Sequence, residues 1–323
     1  MTPITSIITL DVHDHPHLED VLTTSAELLA GIERRGTYFV PSGLIQTNPE
    51  LPAVLRHLRS LGHTIGCHGL NHTLEEDFRS ISPDREWAIL REATQILEDT
   101  LGERIISFRA PVFRLSNYTL PFLAELGYLA DLSVTPQRLS FLSSTPWSFA
   151  GFLAPRSPYR PHRSSPYRRG DLPILEIPTT TLFLPLAHGA MSVLRTNGLA
   201  MMIKALFWEA ATFGRPVVAS IHPESIAGDD WYTENRPLKL SDFIPKAYGG
   251  INLRYHFADI KPDQSKQLAI ELAQRVSTGP EVRSMTIEEY LEAQSFQGNG
   301  SRATSGLATK SVPGAQRPGL LGE

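Results

Sequence analysis

Short apolar runs alternate along this chain with stretches whose apolar residues recur at helical spacing. Near-continuous apolar runs are typical of strands that are buried on both faces of a parallel sheet, and the helical stretches would supply the crossovers between them. The pattern therefore predicts an α/β fold with a parallel sheet or a closed barrel. The strand-like runs begin near Ile4, Thr37, His63, Ile105, Leu129, Leu172 and Pro216.

Three of the helical stretches are well marked. Residues 18–32 and 51–61 each place their Leu and Val side chains on one face, as an amphipathic helix requires. The stretch Pro83–Thr100 has the clearest start, because Ser82 is a natural N-cap and Pro83 suits the first helical position. We predict a helix over each stretch.

The composition changes after about Ala293 to Ser, Gly, Gln, Thr and Pro. Such a segment has too little apolar surface to offset the entropy cost of ordering it. We therefore predict one folded domain over residues 1–293 and a disordered tail over residues 294–323.

The most informative polar residues are His68 and His72, which follow the strand-like run His63–Cys67. Four residues apart, on one helical turn or in a tight loop, two imidazoles can converge on one divalent metal ion such as zinc. Two surface histidines also arise at this spacing by chance, so the pair needs support from other residues.

Support comes from the N-terminal strand, which runs directly into Asp11-Val-His-Asp14. Polar groups released at the carboxyl end of a parallel strand lie where α/β proteins build their sites. Asp11 could instead cap the following helix, although a cap needs only one acid and five titratable groups crowd into residues 11–17. His15 and His17 are evenly balanced between a functional and a structural role.

Three further candidates follow, each near the end of a strand-like run. Arg109 lies between Phe108 and Pro111, which suits a bidentate hold on a carboxylate better than a surface salt bridge. Asp131 is an acid after a short apolar run, and His222 ends the run Pro216–Ile221. A histidine at a strand end is more often structural than an acid or a base.

In this order, these motifs resemble the polysaccharide deacetylase family, the NodB-homology domain of carbohydrate esterase family 4. The resemblance extends over roughly residues 4–292. The segments that carry it are Thr9–Asp14, His68–His72, Arg109–Phe113, Asp131–Ser133 and Ser220–His222. It implies an irregular (β/α) barrel of about seven parallel strands, a distorted TIM-type barrel.

The first motif departs from the family, because most members carry two adjacent aspartates and here Val12 follows Asp11. The resemblance implies His68 and His72 as ligands of a divalent metal ion, with zinc as the expected ion and either His13 or Asp14 as the third ligand. Both sets leave an open position for water.

The resemblance also implies a mechanism, namely hydrolysis of an N-acetyl or other N-acyl group on a sugar or glycan. Asp11 would be the general base, Arg109 would hold it ionised, and His222, oriented by Asp131, would be the general acid. Pro111, Phe113 and Arg160 are candidate substrate contacts. Rival interpretations are a deformylase or amidohydrolase acting on a lipid-linked sugar or small ureide, and a noncatalytic sugar-binding barrel.

Charge and composition set the remaining expectations. The net charge of −4 argues against a nucleic-acid partner. Residues 159–169 form an arginine-rich loop, which is either a solvated connection or a rim that binds an anionic sugar. The apolar segment 181–213 is too interrupted for a transmembrane helix and reads as core, or less readily as a face for a lipid-linked substrate. No secretory signal is readable, so we expect a cytoplasmic protein with a buried Cys67 thiol.

Overall fold

A computed structural model describes residues 3–138, 149–229, 262–279 and 281–299. The strands are β1 (Ile4–Asp11), β2 (Gly36–Val40), β3 (Thr64–Cys67), β4 (Ser107–Phe108), β5 (Ala130–Asp131), β6 (Pro161–His162), β7 (Ser165–Arg169), β8 (Leu175–Glu176), β9 (Thr181–Leu182), β10 (Leu184–Pro185), β11 (Val217–Ile221) and β12 (Val282–Met285). The seven predicted strand-like runs correspond to strands of the main sheet, to which β12 adds an eighth near the carboxyl end of the described chain. Two separate two-stranded sheets, β6–β7 and β9–β10, were not predicted.

Helices connect these strands, as the alternating pattern predicts. They are α1 (Leu18–Gly31), α2 (Leu44–Thr47), α3 (Leu51–Ser60), α4 (Pro83–Leu101), α5 (Thr119–Leu126), α6 (Phe149–Phe152), α7 (His188–Phe213), α8 (Pro223–Ala227), α9 (Pro262–Ser277) and α10 (Ile287–Asn299). The Ser82 hydroxyl accepts a hydrogen bond from the Arg85 backbone N–H, which confirms the predicted N-cap of α4.

The main sheet has the order β11-β1-β2-β3-β4-β5-β8, and every neighbouring pair is parallel. Strand β12 pairs in parallel with the first half of β1, over Ile4–Ile7, while β2 pairs with the second half. This curled parallel sheet with helical crossovers confirms the α/β class and the irregular barrel of about seven strands.

The segment from Thr179 to Ala187 spans the opening between the two ends of this sheet. At one end, the Thr179 N–H donates to the Val134 carbonyl at 3.0 Å. At the other end, the Thr180 N–H donates to the Val218 carbonyl, and the Ser220 N–H of β11 donates to the Leu186 carbonyl. Backbone hydrogen bonds outside the regular ladder therefore complete the barrel.

The strand β1 places its side chains alternately inside and outside the barrel. Ile8 and Leu10 belong to the large core between the sheet and the helices, whereas Ile7 packs with Phe39 and Val218 in a second, inner core. Asp11 lies on the same face of β1 as Ile7, so the alternation directs its carboxylate into the carboxyl end of the barrel. The two-residue alternation that places apolar side chains of β1 in the core therefore also places Asp11 at the site.

Two expectations concern the ends of helices. Helix α1 begins at Leu18 with His17 at its N-cap position, so Asp11 does not cap it. Helix α10 continues to Asn299, beyond the boundary at residue 293 where we expect the tail to start. The rest of the expected tail, residues 300–323, lies outside the described residues.

The apolar segment that includes α7 contributes mainly to the core. Leu199, Met202, Ile203 and Leu206 are buried, while Met201 and Trp208 on another face of α7 are largely exposed. Among the described helices, none is long and apolar enough to cross a membrane.

Candidate active site

The carboxyl ends of five parallel strands of the main sheet bring the candidate residues to one end of the barrel. Asp11 ends β1, His68 follows β3, Arg109 follows β4, Asp131 ends β5 and His222 follows β11. Because all of these strands run in the same direction, their ends meet at one edge of the sheet. The parallel fold thus gathers residues that are up to 211 positions apart, the separation of His13 from Glu224.

Asp11 and Arg109 form a buried ion pair at the centre of this edge. An Nη1 hydrogen of Arg109 donates to Oδ1 of Asp11 at 2.6 Å, and the Ser220 hydroxyl donates to Oδ2 at 3.1 Å. Burial by itself would raise the pKa of Asp11, but Arg109, helped by His68 and His222, outweighs burial and holds that pKa far below its usual value. Asp11 is therefore an oriented, ionised carboxylate.

Arg109 is fully buried and is held on several sides. Its Nε donates to the Leu132 carbonyl at 3.1 Å and its Nη1 to the Thr9 hydroxyl at 2.9 Å. The Phe39 and Phe113 rings lie 4.7 and 5.3 Å from its guanidinium carbon, within the range of a cation–π contact. These contacts agree with a guanidinium that holds a carboxylate, and they exclude the surface salt bridge.

His13, His68 and His72 form a compact group in which one ring nitrogen from each lies within 4.8 Å of the others. The ring centroids of His68 and His72 are 4.8 Å apart, and those of His13 and His72 are 4.9 Å apart. Asp14, the other possible third ligand, is exposed and does not belong to this group. The structure therefore assembles the three-histidine alternative.

The loop that carries His68 and His72 depends on two unusual backbone positions. Gly69 has φ +80°, and a Cβ atom there would lie 3.0 Å from the Pro111 ring. His72 itself has φ 55°, in the left-handed region that few residues other than glycine adopt. The pair therefore lies in a tight loop and not on a helical turn.

Glu76 stabilises this loop, although no sequence signal points to this residue. Its Oε2 accepts hydrogen bonds from the backbone N–H groups of Asn71 at 2.7 Å and His72 at 3.2 Å. Its Oε1 accepts from the Asn71 side-chain amide at 2.7 Å. A buried carboxylate thus supports the strained conformation at His72.

The three histidines suit a divalent metal ion by their protonation as well as their positions. His68 Nδ1 lies 2.8 Å from the Arg109 carbonyl, and since a carbonyl only accepts, Nδ1 carries the hydrogen and Nε2 keeps a lone pair. Burial lowers the pKa of His68 to about 4. Burial, with His68 and His13 nearby, also lowers the pKa of His72 well below its usual value. Neutral imidazoles are the form that binds zinc and similar ions.

A second group joins the first through His13. Its members are His13, His222 and Glu224, whose ligand atoms also lie within 4.8 Å of one another. Oε1 of Glu224 is 3.4 Å from His13 Nδ1 and 3.5 Å from His222 Nδ1. Burial would raise the pKa of Glu224, but the histidines outweigh burial and hold it below its usual value. Glu224 lies in no sequence motif that predicts this position.

The hydrogen bonds described for Asp131 go to residues other than His222, the histidine that the family resemblance pairs with it. Both Asp131 oxygens accept hydrogen bonds from Ser133, one from its hydroxyl at 2.7 Å and one from its backbone N–H at 3.1 Å. The side chain of Glu176 is the other carboxyl group beside Asp131. Burial raises the pKa of both carboxyl groups, and that of Glu176 most strongly. Asp131 therefore belongs to a buried carboxyl pair behind Arg109, and the carboxylate next to His222 is Glu224.

Four other residues that were singled out from the sequence have defined contacts or burial. His15 is buried, with Nδ1 accepting from the His17 N–H at 3.1 Å, and so makes a local structural contact. Pro111 is buried against the His68 loop, whereas Phe113 packs over Arg109. The predicted buried thiol of Cys67 is confirmed.

Arg160 lies on the arginine-rich segment, which is a β-hairpin formed by β6 and β7. Its Nη1 donates to the Leu172 carbonyl at 3.2 Å, so the described contact is structural. An Arg79 guanidinium hydrogen donates to the Tyr167 hydroxyl at 2.9 Å, which ties the hairpin to the segment that follows His72. The hairpin therefore stands beside the loop that carries two of the histidines.

Comparison with known proteins finds a family match over the first part of the chain. The polysaccharide deacetylase family model matches residues 3–130, which confirms the resemblance over that range. The matched residues include Asp11, the three histidines and Arg109, and they end before Asp131. A peptidoglycan deacetylase-like protein from Gibberella zeae is 31% identical over 106 residues, which are 32% of this chain and 29% of that protein. The match thus spans less than a third of that relative's length.

Solved structures show the same fold along nearly the whole chain. A candidate polysaccharide deacetylase from Mycobacterium smegmatis has a TM-score of 0.55 and 16% identity, covering 97% of this chain and 99% of the other. The structure of Puue Allantoinase has a TM-score of 0.53 and 15% identity, covering 94% and 92%. At these identities the likeness establishes the barrel and not the activity.

Proposed function

We propose that this protein is a metal-dependent hydrolase that removes an N-acetyl or other N-acyl group from a sugar or glycan. The observation that carries the proposal is the convergence of His13, His68 and His72 beside the buried Asp11–Arg109 pair. This convergence lies within the residues that match the polysaccharide deacetylase family. A metal site next to an ionised carboxylate is one arrangement that can hydrolyse an unactivated amide.

His13, His68 and His72 would hold the ion, with zinc as the most suitable candidate because all three donors are neutral imidazoles. Asp14, which is exposed, is not needed as a ligand. When bound, a divalent ion supplies Lewis acidity toward the substrate carbonyl and lowers the pKa of water. The remaining groups of the site handle protons and orientation.

Asp11 would accept the proton of the attacking water. Its carboxylate is fixed by Arg109 and Ser220, so it is ionised and already oriented before the substrate binds. Arg109 in this proposal is a positioning residue, because its contacts lie with Asp11, Thr9, Leu132 and the two phenylalanine rings. The proposed division of roles thus separates the base from the group that holds it.

His222 would donate a proton to the departing amine. Its ring centroid lies 4.7 Å from that of His13, so it faces the histidine cluster from the β11 side. An amide needs this step because an amine anion is a very poor leaving group. Acid and base would then approach the substrate from different strands.

The β6–β7 hairpin supports a substrate with negative charge near the acyl group, such as a uronic acid or a phosphorylated sugar. Residues 159–171 contain four arginines and one aspartate within a chain whose net charge is −4. Guanidinium groups bind carboxylates and phosphates in bidentate fashion. Arg160, on this hairpin, would contribute to such a rim while it remains bound to Leu172.

The test combines metal analysis with product release. Purified protein should contain about one zinc-class ion per chain and release acetate or formate from a panel of N-acylated sugars, with an acyclic ureide included as a rival substrate. His68→Ala should lose both the metal and the activity, and Asp11→Asn should keep the metal but lose about a hundredfold or more in turnover. Full metal occupancy in His68→Ala, or ureide hydrolysis without sugar deacylation, would contradict the proposal.

A further inference from the structure

Glu224 is the one carboxylate of the second group, and its surroundings point to a specific role. The residue is only 3% exposed. Its Oε1 lies 3.4 Å from His13 Nδ1 and 3.5 Å from His222 Nδ1, so a single oxygen faces the same ring position of two histidines. The His13 contact lies at the long end of hydrogen bonding, whereas the His222 contact is an ion-pair distance without hydrogen-bond geometry. Apo sites often tighten when they are loaded.

The ordinary explanation for Glu224 is that an acid in the first turn favours the helix dipole of α8. That role needs only an exposed side chain near the helix start. Helix α8 has five residues, and Glu224 is buried toward the histidines, where an ionised group is costly unless it meets donors. The dipole explanation therefore does not account for the burial.

The chemistry of the contact fixes the hydrogens. An ionised carboxylate only accepts hydrogen bonds, so a ring nitrogen that faces it must carry a hydrogen. Both histidines would then hold a hydrogen on Nδ1. This leaves Nε2 of His13 with its lone pair and Nε2 of His222 as the nitrogen that can exchange a proton with a substrate.

We propose that Glu224 is a positioning residue that serves both halves of the site, because it fixes the ring orientation and tautomer of the metal-side His13 and of the acid-side His222. This inference rests on the proposed function for the roles of the two histidines, but not for the tautomers themselves. Glu224 takes the orienting role that the sequence assigned to Asp131. Because one Glu224 oxygen contacts both rings, the orientation of the proposed acid His222 is coupled to that of the proposed metal ligand His13.

The direct experiment measures ring tautomers by ¹⁵N NMR in metal-free protein. In the parent, His13 and His222 should both carry the hydrogen on Nδ1. Glu224→Gln keeps a carbonyl oxygen that accepts from both rings and should keep both tautomers. Glu224→Met removes the acceptor and should shift the population toward the Nε2–H form at both rings. Asp229→Asn, in which the altered residue is near His15 instead, is the control and should match the parent.

Metal affinity and substrate preference test the consequences. Glu224→Met should weaken zinc binding about 10- to 100-fold, the range for a lost partner of a ligating histidine, with Glu224→Gln between Met and parent. It should also reduce amide hydrolysis more than ester hydrolysis, because an alkoxide leaves without prior protonation. Circular dichroism of each variant identifies any that fail to fold, and Glu224→Gln provides the comparison in that case.

The results separate this inference from the proposed function. Unchanged tautomers at both rings in a folded Glu224→Met protein would overturn the positioning role. Loss of zinc as complete as in His68→Ala would also overturn it, because Glu224 would then be a ligand. Shifted tautomers in a protein that binds no metal and deacylates no sugar would keep the positioning role and reject the proposed function.

Discussion

Removal of the Arg109 charge gives a quantitative test of the buried network. Arg109 is fully buried, and its guanidinium donates to Asp11, Thr9, Ser220 and the Leu132 carbonyl. The substitution Arg109→Met keeps much of the side-chain length but leaves the Asp11 carboxylate buried without its counter-charge. The four acceptors also lose a donor at the same time.

The expected cost follows from the burial of the pair. Breaking a buried ion pair by removal of one partner destabilises a protein by about 3–5 kcal/mol, because the remaining charge is left uncompensated. An exposed pair contributes only about 0–1 kcal/mol. Arg275, paired with Glu271 one helical turn away and 44% exposed, offers the matched control. Arg275→Met should therefore cost less than about 1 kcal/mol.

The assay is urea unfolding of metal-free protein, so that a bound ion does not contribute to the stability. The double variant Asp11→Asn, Arg109→Met should recover part of the loss, with a coupling energy of about 1–3 kcal/mol. If the two single effects add within about 0.5 kcal/mol, the residues do not form an energetic pair and the reasoning fails. Equal costs for Arg109→Met and Arg275→Met would also refute it.

Three further predictions address the loop, the pH response and the chain end. Glu76→Ala should weaken zinc binding about tenfold or more in a zinc titration, because the His72 backbone N–H loses its acceptor. Glu75→Ala, which changes an exposed neighbour, should leave the zinc affinity unchanged. Burial raises the pKa of Glu86, so its contribution to stability is present below the unfolded-state value of 4.5 and is lost as pH rises through the folded value. Glu86→Gln should therefore gain Tm relative to the parent as the pH is raised, and a constant difference would contradict the assignment. Truncation after Asn299 should leave Tm and turnover near those of the full chain, and a large fall in either would show that the removed residues contribute to the fold.

Sequence periodicity was sufficient for the elements that build the barrel. The run from Ile4 and the helix signals at Ser82 and Pro83 correspond to β1 and α4, because apolar burial and capping are local properties. Strand β12 was missed because its four residues include Arg283 and Ser284, which obscure the apolar run. Its place is set by pairing with β1, and such pairing is not a local property.

The site residues also divide into those marked by local motifs and those placed by contacts between distant parts of the chain. His68, His72 and Arg109 lie in distinctive local motifs and come together as their positions after strands predict. Glu224 gave no signal, since an acid that follows a proline at a helix start is common on dipole grounds alone. Its relation to His13 depends on a contact across 211 positions. The position of Glu176 beside Asp131 could not be predicted for the same reason, because only the fold brings that residue to it.

The order in which the chain supplies the site has a consequence for synthesis. Asp11, the three clustered histidines and Arg109 all lie within the first 109 residues, whereas His222 and Glu224 arrive with β11 and α8. Strand β11 pairs with β1, which lies far earlier in the chain, and long-range parallel pairing of this kind forms slowly. A growing chain therefore holds its candidate metal ligands and its proposed base well before it can hold its proposed proton donor. Under the proposed function, the site is complete only after β11 has paired with β1.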